Sequence, residues 1–242
     1  QMGTCRSNLF LKWSQIYLGS FKHKRYLTMI INTHKKFIHI SIPRTASSCL
    51  NRALDNNTHP EPKEHHCTIK EVLQSRPELS NFYKFTFVRN PFDRLVSIYF
   101  EFRKNRRRKY SAKITHNEDL LSEFDISSSD KENFKNFCNN LKFSPWREDL
   151  FFKPQFEYIN IDGENKMDYI GKFENLDADW ENIKNKINMP DTFLAKNVKG
   201  EPRGFIRGST HPHYKEMYSP KEIKVVEELY AKDLKYFNYS FS

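Results

Sequence analysis

The chain has 242 residues, with 40 Lys and Arg against 30 Asp and Glu and a formal net charge of +10. That length supports one large domain or two small ones with a real core, and 21 Phe with 12 Tyr exclude disorder throughout. The positive balance favours anionic partners without naming them, so nucleic acid, acidic glycans and nucleotide phosphates all stay open.

Residues 1–36 are basic and weakly patterned and read as an N-terminal extension. Phe10, Trp13, Ile16, Tyr17 and Phe21 predict one short amphipathic helix there, as an extension or a lid. The opening Gln1-Met2-Gly3 reads as a cleavage scar. Residues 37–42 are a short β-branched run and predict a strand that Pro43 ends. A helix over 47–56 follows, carrying Leu50, Ala53 and Leu54. Thr68 with Glu71 forms a capping-box pair opening a helix through Val72 and Leu73. Residues 83–88 predict a second strand. Asn90-Pro91 starts a helix, with Asn as N-cap, Pro at the first helical position and Asp93 in the first turn. Its apolar positions are Leu95, Val96, Ile98, Tyr99 and Phe102. Residues 103–132 read as a charged, serine-rich loop with some helix. Residues 177–187 form a helix with Trp180, Ile183 and Ile187 on one face. Ser219-Pro220 with Glu222 opens a last helix, whose core face is Ile223, Val226, Leu229, Tyr230 and Leu234.

Strand, loop, helix, strand, helix is the grammar of an α/β domain with a central parallel sheet flanked by helices. Ligands in such sheets bind at the carboxyl ends of the strands, and two motifs sit there. The first, residues 42–50 (Ile-Pro-Arg-Thr-Ala-Ser-Ser-Cys-Leu), follows a strand and opens a helix. Unpaired N–H groups and the helix dipole favour an anion at such a place. Arg44 adds a charge, and Thr45, Ser47 and Ser48 add hydroxyls. No Walker A pattern is present. The competing reading is a serine-capped turn with a solvated Arg44. The second motif, residues 85–99, ends a strand at Arg89 and places Ser97 two helical turns on, on the side of the helix start. Arg89 would fork onto a phosphate while Ser97 donates a second hydrogen bond. The competing reading pairs Arg89 with Asp93 and buries Ser97 mid-helix.

Residues 37–50 and 85–99 resemble the two nucleotide-binding segments of the PAPS-dependent sulfotransferase superfamily (PAPS is 3′-phosphoadenosine 5′-phosphosulfate). The likeness is greatest to its carbohydrate branch and bacterial relatives. Those usually read Ile-Pro-Lys-Thr-Gly-Gly-Thr-Ser and Phe-Val-Arg-Asn-Pro-Tyr-Asp-Arg-Leu-Val-Ser. Lys153-Pro154-Gln155 is similar to the family's Arg-Pro-Gln. Asp168 to Leu176, with Asp179-Trp180, and Leu229 to Phe237 are similar to its later segments. Arg44 departs from the usual Lys, and Ser47 from the usual Gly.

The resemblance implies a single P-loop-like domain over 37–242 and in-line sulfuryl transfer from PAPS to a hydroxyl, leaving adenosine 3′,5′-bisphosphate (PAP). It implies that Arg44, Thr45, Ala46, Ser47, Ser48 and Cys49 surround the 5′-phosphosulfate, with Arg44 on the reacting oxygens. Arg89 and Ser97 would hold the 3′-phosphate. It favours His66 as general base, with His65 second, and a loop with Arg207, Ser209 and Thr210 over the nucleotide. No metal is required. The acceptor is expected to be a sugar or glycan, with a non-sugar natural-product alcohol as the alternative.

Cys5, Cys49, Cys67 and Cys138 show no CxxC spacing and read as reduced thiols. No stretch nears the roughly 20 apolar residues of a membrane span. A bacterial cytoplasmic enzyme is expected, or else the trimmed lumenal domain of a Golgi-type one. The basic run Arg103 to Lys109 lacks interleaved aromatics, so nucleic acid is not an expected partner. His65, His66, Cys67, His211 and His213 fit no metal spacing. A non-catalytic polyanion- or nucleic-acid-binding protein is the alternative of another class.

Overall fold

A computed structural model describes residues 29–56, 67–107, 128–141, 150–192, 194 and 211–242. The amphipathic helix expected over residues 10–21 lies outside these residues, as do His65, His66, Arg207, Ser209 and Thr210.

Among the described residues, four strands form the central sheet: β1 (Ile30–Asn32), β2 (Phe37–Ile40), β3 (Tyr83–Val88) and β6 (Tyr169–Lys172), in the order β1-β2-β3-β6. β2, β3 and β6 run parallel, and β1 pairs antiparallel with β2. A separate pair joins β4 (Asn160–Ile161) to β5 (Glu164–Asn165). The sheet therefore begins inside the stretch read as an extension. Met29 to Ile31 is too short an apolar run to announce a strand, but a tight hairpin turn brings it onto β2. Lys36 takes a left-handed conformation in that turn, and the Asn32 side chain accepts from the Lys35 amide at 2.7 Å.

Side chains alternate between the faces with the strand period. Phe37, Phe85 and Phe87 pack against α1 (Ser47–Asn56) and α6 (Leu176–Lys186), the latter through Trp180 and Ile183. Ile38, Ile40 and Val88 face the other way. They pack with Ile69 and Val72 of α2 (Ile69–Ser75) and Tyr158 of α5 (Gln155–Ile159). A third cluster joins α3 (Pro91–Arg107), α4 (Asp130–Leu141) and α7 (Pro220–Leu229). Its centre is aromatic: Tyr99, Phe134, Phe137, Phe152 and Tyr218.

The expected capping pairs form. Thr68 and Glu71 cap α2 reciprocally, Ser219 and Glu222 do so for α7, and the Asn90 side chain accepts from the Phe92 amide at 3.0 Å. The last helix breaks at Tyr230 into α7 and α8 (Ala231–Tyr236). α4 begins at the end of the stretch 103–132 read as a loop with some helix, and its apolar face of Phe134, Phe137, Cys138 and Leu141 finds a partner only after folding. Among the described residues, no helix is long and apolar enough to cross a membrane.

Candidate active site

The parallel strands end together, and each hands the chain to one part of the site. β2 runs into Ile42-Pro43-Arg44, β3 into Arg89, and β6 into Phe173-Glu174. The loop after β2 is tightly wound: Arg44 and Ala46 take left-handed φ values of 69° and 68°. The Ala46 carbonyl accepts from the Cys49 and Leu50 amides at 2.9 and 3.1 Å, so Ala46 caps α1. Ser47 and Ser48 then occupy its first two positions, where helical amides have no partner within the helix. The Thr45 hydroxyl donates to the Ile42 carbonyl at 2.9 Å and closes the turn. Ser48 is exposed, whereas Thr45, Ser47 and Cys49 are buried. Next to the helix the left-handed residue is thus Ala46, as Arg44 is two residues before it, and Ser47 has ordinary helical backbone.

Arg44 reaches across to α3. Its Nε donates to the Ser97 hydroxyl at 3.0 Å, and its Nη1 lies 3.3 Å from a Glu101 carboxylate oxygen. Burial disfavours its charge and Glu101 restores part of it; a guanidinium stays charged throughout. Arg89 Nε pairs with Asp93 at 2.7 Å, and its Nη1 donates to the Arg44 carbonyl at 3.2 Å. The Arg89 guanidinium also stacks 4.1 Å from the centre of the Phe173 ring. The ion pair that competes with a phosphate role for Arg89 is therefore present, and so is the burial of Ser97. Together the two arginines, their partners Ser97, Asp93 and Glu101, and the start of α1 form one charged and polar cluster.

Several residues without an assigned role in the sequence hold this cluster. The Gln155 side chain accepts from the Arg89 amide at 2.9 Å and donates to its carbonyl at 2.8 Å. Asp233 accepts from the Gln155 and Phe156 amides, both at 2.8 Å. Arg94 is buried and donates to the carbonyls of Pro43, Phe151 and Lys153. Glu174 accepts from the Asn90 amide at 2.7 Å. The sequence signal was the similarity of their segments to the family; their function as braces follows from the contacts.

His211 also comes to this cluster. Its ring stacks on Phe100 with centroids 5.6 Å apart, and its Nε2 lies 3.9 Å from Asp93. His213 instead caps a short turn, its Nδ1 accepting from the Lys215 amide. In the basic run, Arg103 pairs with Asp130.

The chemistry of the cluster suits an anion with several phosphate-like groups. Two guanidiniums and a helix start lie within one network at the carboxyl ends of adjacent parallel strands. No curated protein and no solved structure matches the chain. The sequence model described as Sulfotransferase family matches residues 27–240, from just ahead of β1 to just beyond α8, and so takes in every residue that builds or braces the cluster. The chain belongs to the sulfotransferase family, whose members transfer a sulfuryl group.

Proposed function

We propose that the protein moves the sulfuryl group of PAPS onto a hydroxyl oxygen, with a sugar or glycan as acceptor. The observation that carries this reading is the junction of Arg44, Arg89 and Ser97 in one hydrogen-bonded network, at the strand ends where the family's nucleotide segments lie. The donor supplies an activated sulfuryl group and carries phosphates at both ends of its ribose. Arg44 and the start of α1 would hold the 5′-phosphosulfate, through Thr45, Ala46, Ser47, Ser48 and Cys49. Arg89 and Ser97 would hold the 3′-phosphate.

An acceptor oxygen forms the new bond to sulfur as the bond from sulfur to the phosphate oxygen breaks, leaving PAP. Arg44 would stabilise charge growing on the departing oxygen, where a fixed guanidinium needs little reorganisation. The acceptor proton passes to His66, or to His65 in its place. A neutral imidazole suits that task near neutral pH. Unchanged turnover in His66→Ala would remove His66 from this role. The resemblance to the carbohydrate branch supports the sugar acceptor, and sulfation of only non-sugar alcohols in an acceptor screen would replace it.

Calorimetric titration with PAP, with adenosine 5′-phosphate as control, tests the donor site. Arg89→Ala is expected to weaken PAP on the order of 10–100-fold, as for loss of a charge-assisted hydrogen bond, and adenosine 5′-phosphate by less than about threefold. Equal losses for both nucleotides would mean that Arg89 does not read the 3′-phosphate. Binding of polyanions without either nucleotide would favour the non-catalytic reading.

A further inference from the structure

His211 occupies a position that packing alone does not explain. Its side chain is only 5% exposed, yet its Nε2 is buried and has no hydrogen-bond partner among the described residues. Its Nδ1 lies 2.7 Å from the Pro212 carbonyl, which fixes the proton of the neutral ring on Nδ1 and leaves Nε2 as the open atom. That open atom faces the donor cluster, 3.9 Å from Asp93.

On α3 beneath it, Asp93, Ser97 and Phe100 follow one another at spacings of four and three and share one side, and Glu101 lies four residues beyond Ser97. Phe100 supplies the platform for the imidazole. Asp93 holds Arg89, and Ser97 with Glu101 holds Arg44. The charged groups around His211 are thus Asp93 from α3, Arg89 from the end of β3 and Arg44 from the loop after β2. On its own segment Tyr214 lies in the field of Asp93 and Glu174.

Two arginines and two carboxylates, Asp93 and Glu101, balance in formal charge. Burial, with Arg89 and Arg44 adding to it, holds the imidazole below its ordinary pKa, so the ring is neutral near pH 7. A dianionic phosphate entering beside Arg89 would leave the cluster negative and reverse that balance.

We propose that His211 is a phosphate-binding residue of the donor site: it takes up a proton as the nucleotide 3′-phosphate arrives and donates that proton, from Nε2, to the phosphate. This rests on the reading of Arg89 and Ser97 as the 3′-phosphate site. It makes donor binding proton-linked. Affinity is strongest where the bound-state imidazole is protonated and falls as pH rises through its bound-state pKa. A metal ion is a poorer occupant, because two guanidiniums stand beside the single carboxylate that His211 faces.

The test is calorimetry of the full chain near pH 7.5, in buffers of different ionisation enthalpy, where a phosphate monoester is almost entirely dianionic. PAP is expected to bind with net proton uptake, and adenosine 5′-phosphate without it. H211Q should abolish the uptake and weaken PAP about tenfold or more. PAP binding that depends on the 3′-phosphate, with no proton uptake and the same affinity in H211Q, would overturn this proposal and leave the donor site standing. Binding with no dependence on the 3′-phosphate would overturn both. Should H211Q fail to fold, the proton uptake of the unaltered protein decides the matter alone.

Discussion

Arg44 and Ala46 both sit in the left-handed region, on either side of Thr45. An L-residue pays roughly 1–2 kcal/mol for that conformation and glycine does not. The strain is retained because the turn must reverse sharply between β2 and α1 while keeping the Ala46 carbonyl as cap. Ala46→Gly relieves the local strain and costs some unfolded-state entropy in return. The expected net result is a gain of about 0.5–1 kcal/mol in urea unfolding. A loss of stability would mean that the Ala46 methyl packs more usefully than its backbone is strained. The same loop explains why Arg44 and a lysine are not equivalent here. Arg44 spans Ser97 and Glu101 with two different nitrogens, which a single ammonium cannot reproduce in that geometry.

At the scale of elements, the site depends on how closely β6 approaches β3. Phe87 and Gly171 are directly paired across these strands. A Cβ at Gly171 would lie 2.5 Å from Phe87 Cε1 and 2.7 Å from Cδ1, and Phe87 is fully buried. Gly171→Ala is therefore expected to destabilise the protein by about 1–3 kcal/mol, the usual cost of overpacking, in thermal or denaturant unfolding. A neutral outcome would show that the Phe87 ring can turn away. β3 delivers Arg89 just beyond Val88, and β6 delivers Phe173 just beyond Lys172. Spreading these strands would also part the guanidinium from the ring on which it stacks.

Across the whole molecule, the C-terminal helix reaches the site by a chain of hydrogen bonds. Asp233 of α8 holds the first turn of α5, and Gln155 of α5 holds both backbone groups of Arg89. Asp233 and Gln155 are both buried, so neither bond has water as a substitute. Asp233→Asn exchanges one acceptor oxygen for a donor amide facing a backbone N–H. It is expected to cost about 1–3 kcal/mol of stability. It should also weaken PAP severalfold although Asp233 contributes nothing to the Arg44, Arg89 and Ser97 network itself. Full nucleotide affinity in a folded Asp233→Asn protein would show that Gln155 positions Arg89 without help from α8.

What the sequence by itself determined is the local order. The strand expected over 37–42, which runs over Phe37–Ile40, the strand over 83–88, the helix starts at Ser47 and Pro91, and the caps at Thr68, Asn90 and Ser219 all depend on residues within a few positions of one another. Propensity and capping chemistry act over that range, so these features are legible in one dimension. Arg44, Arg89 and Ser97 were legible as candidates because strand ends and helix starts carry a general expectation of anion binding. What only the tertiary structure decided is which distant groups meet. Gln155 stands 66 residues from Arg89, Asp233 stands 78 from Gln155, and Arg94 stands 51 from Pro43. β1 was missed because three residues have no visible period until β2 lies beside them. His211 is the clearest case. As a letter it is one of nine histidines, and its chemistry arises from Phe100, Asp93 and two arginines that only folding brings around it.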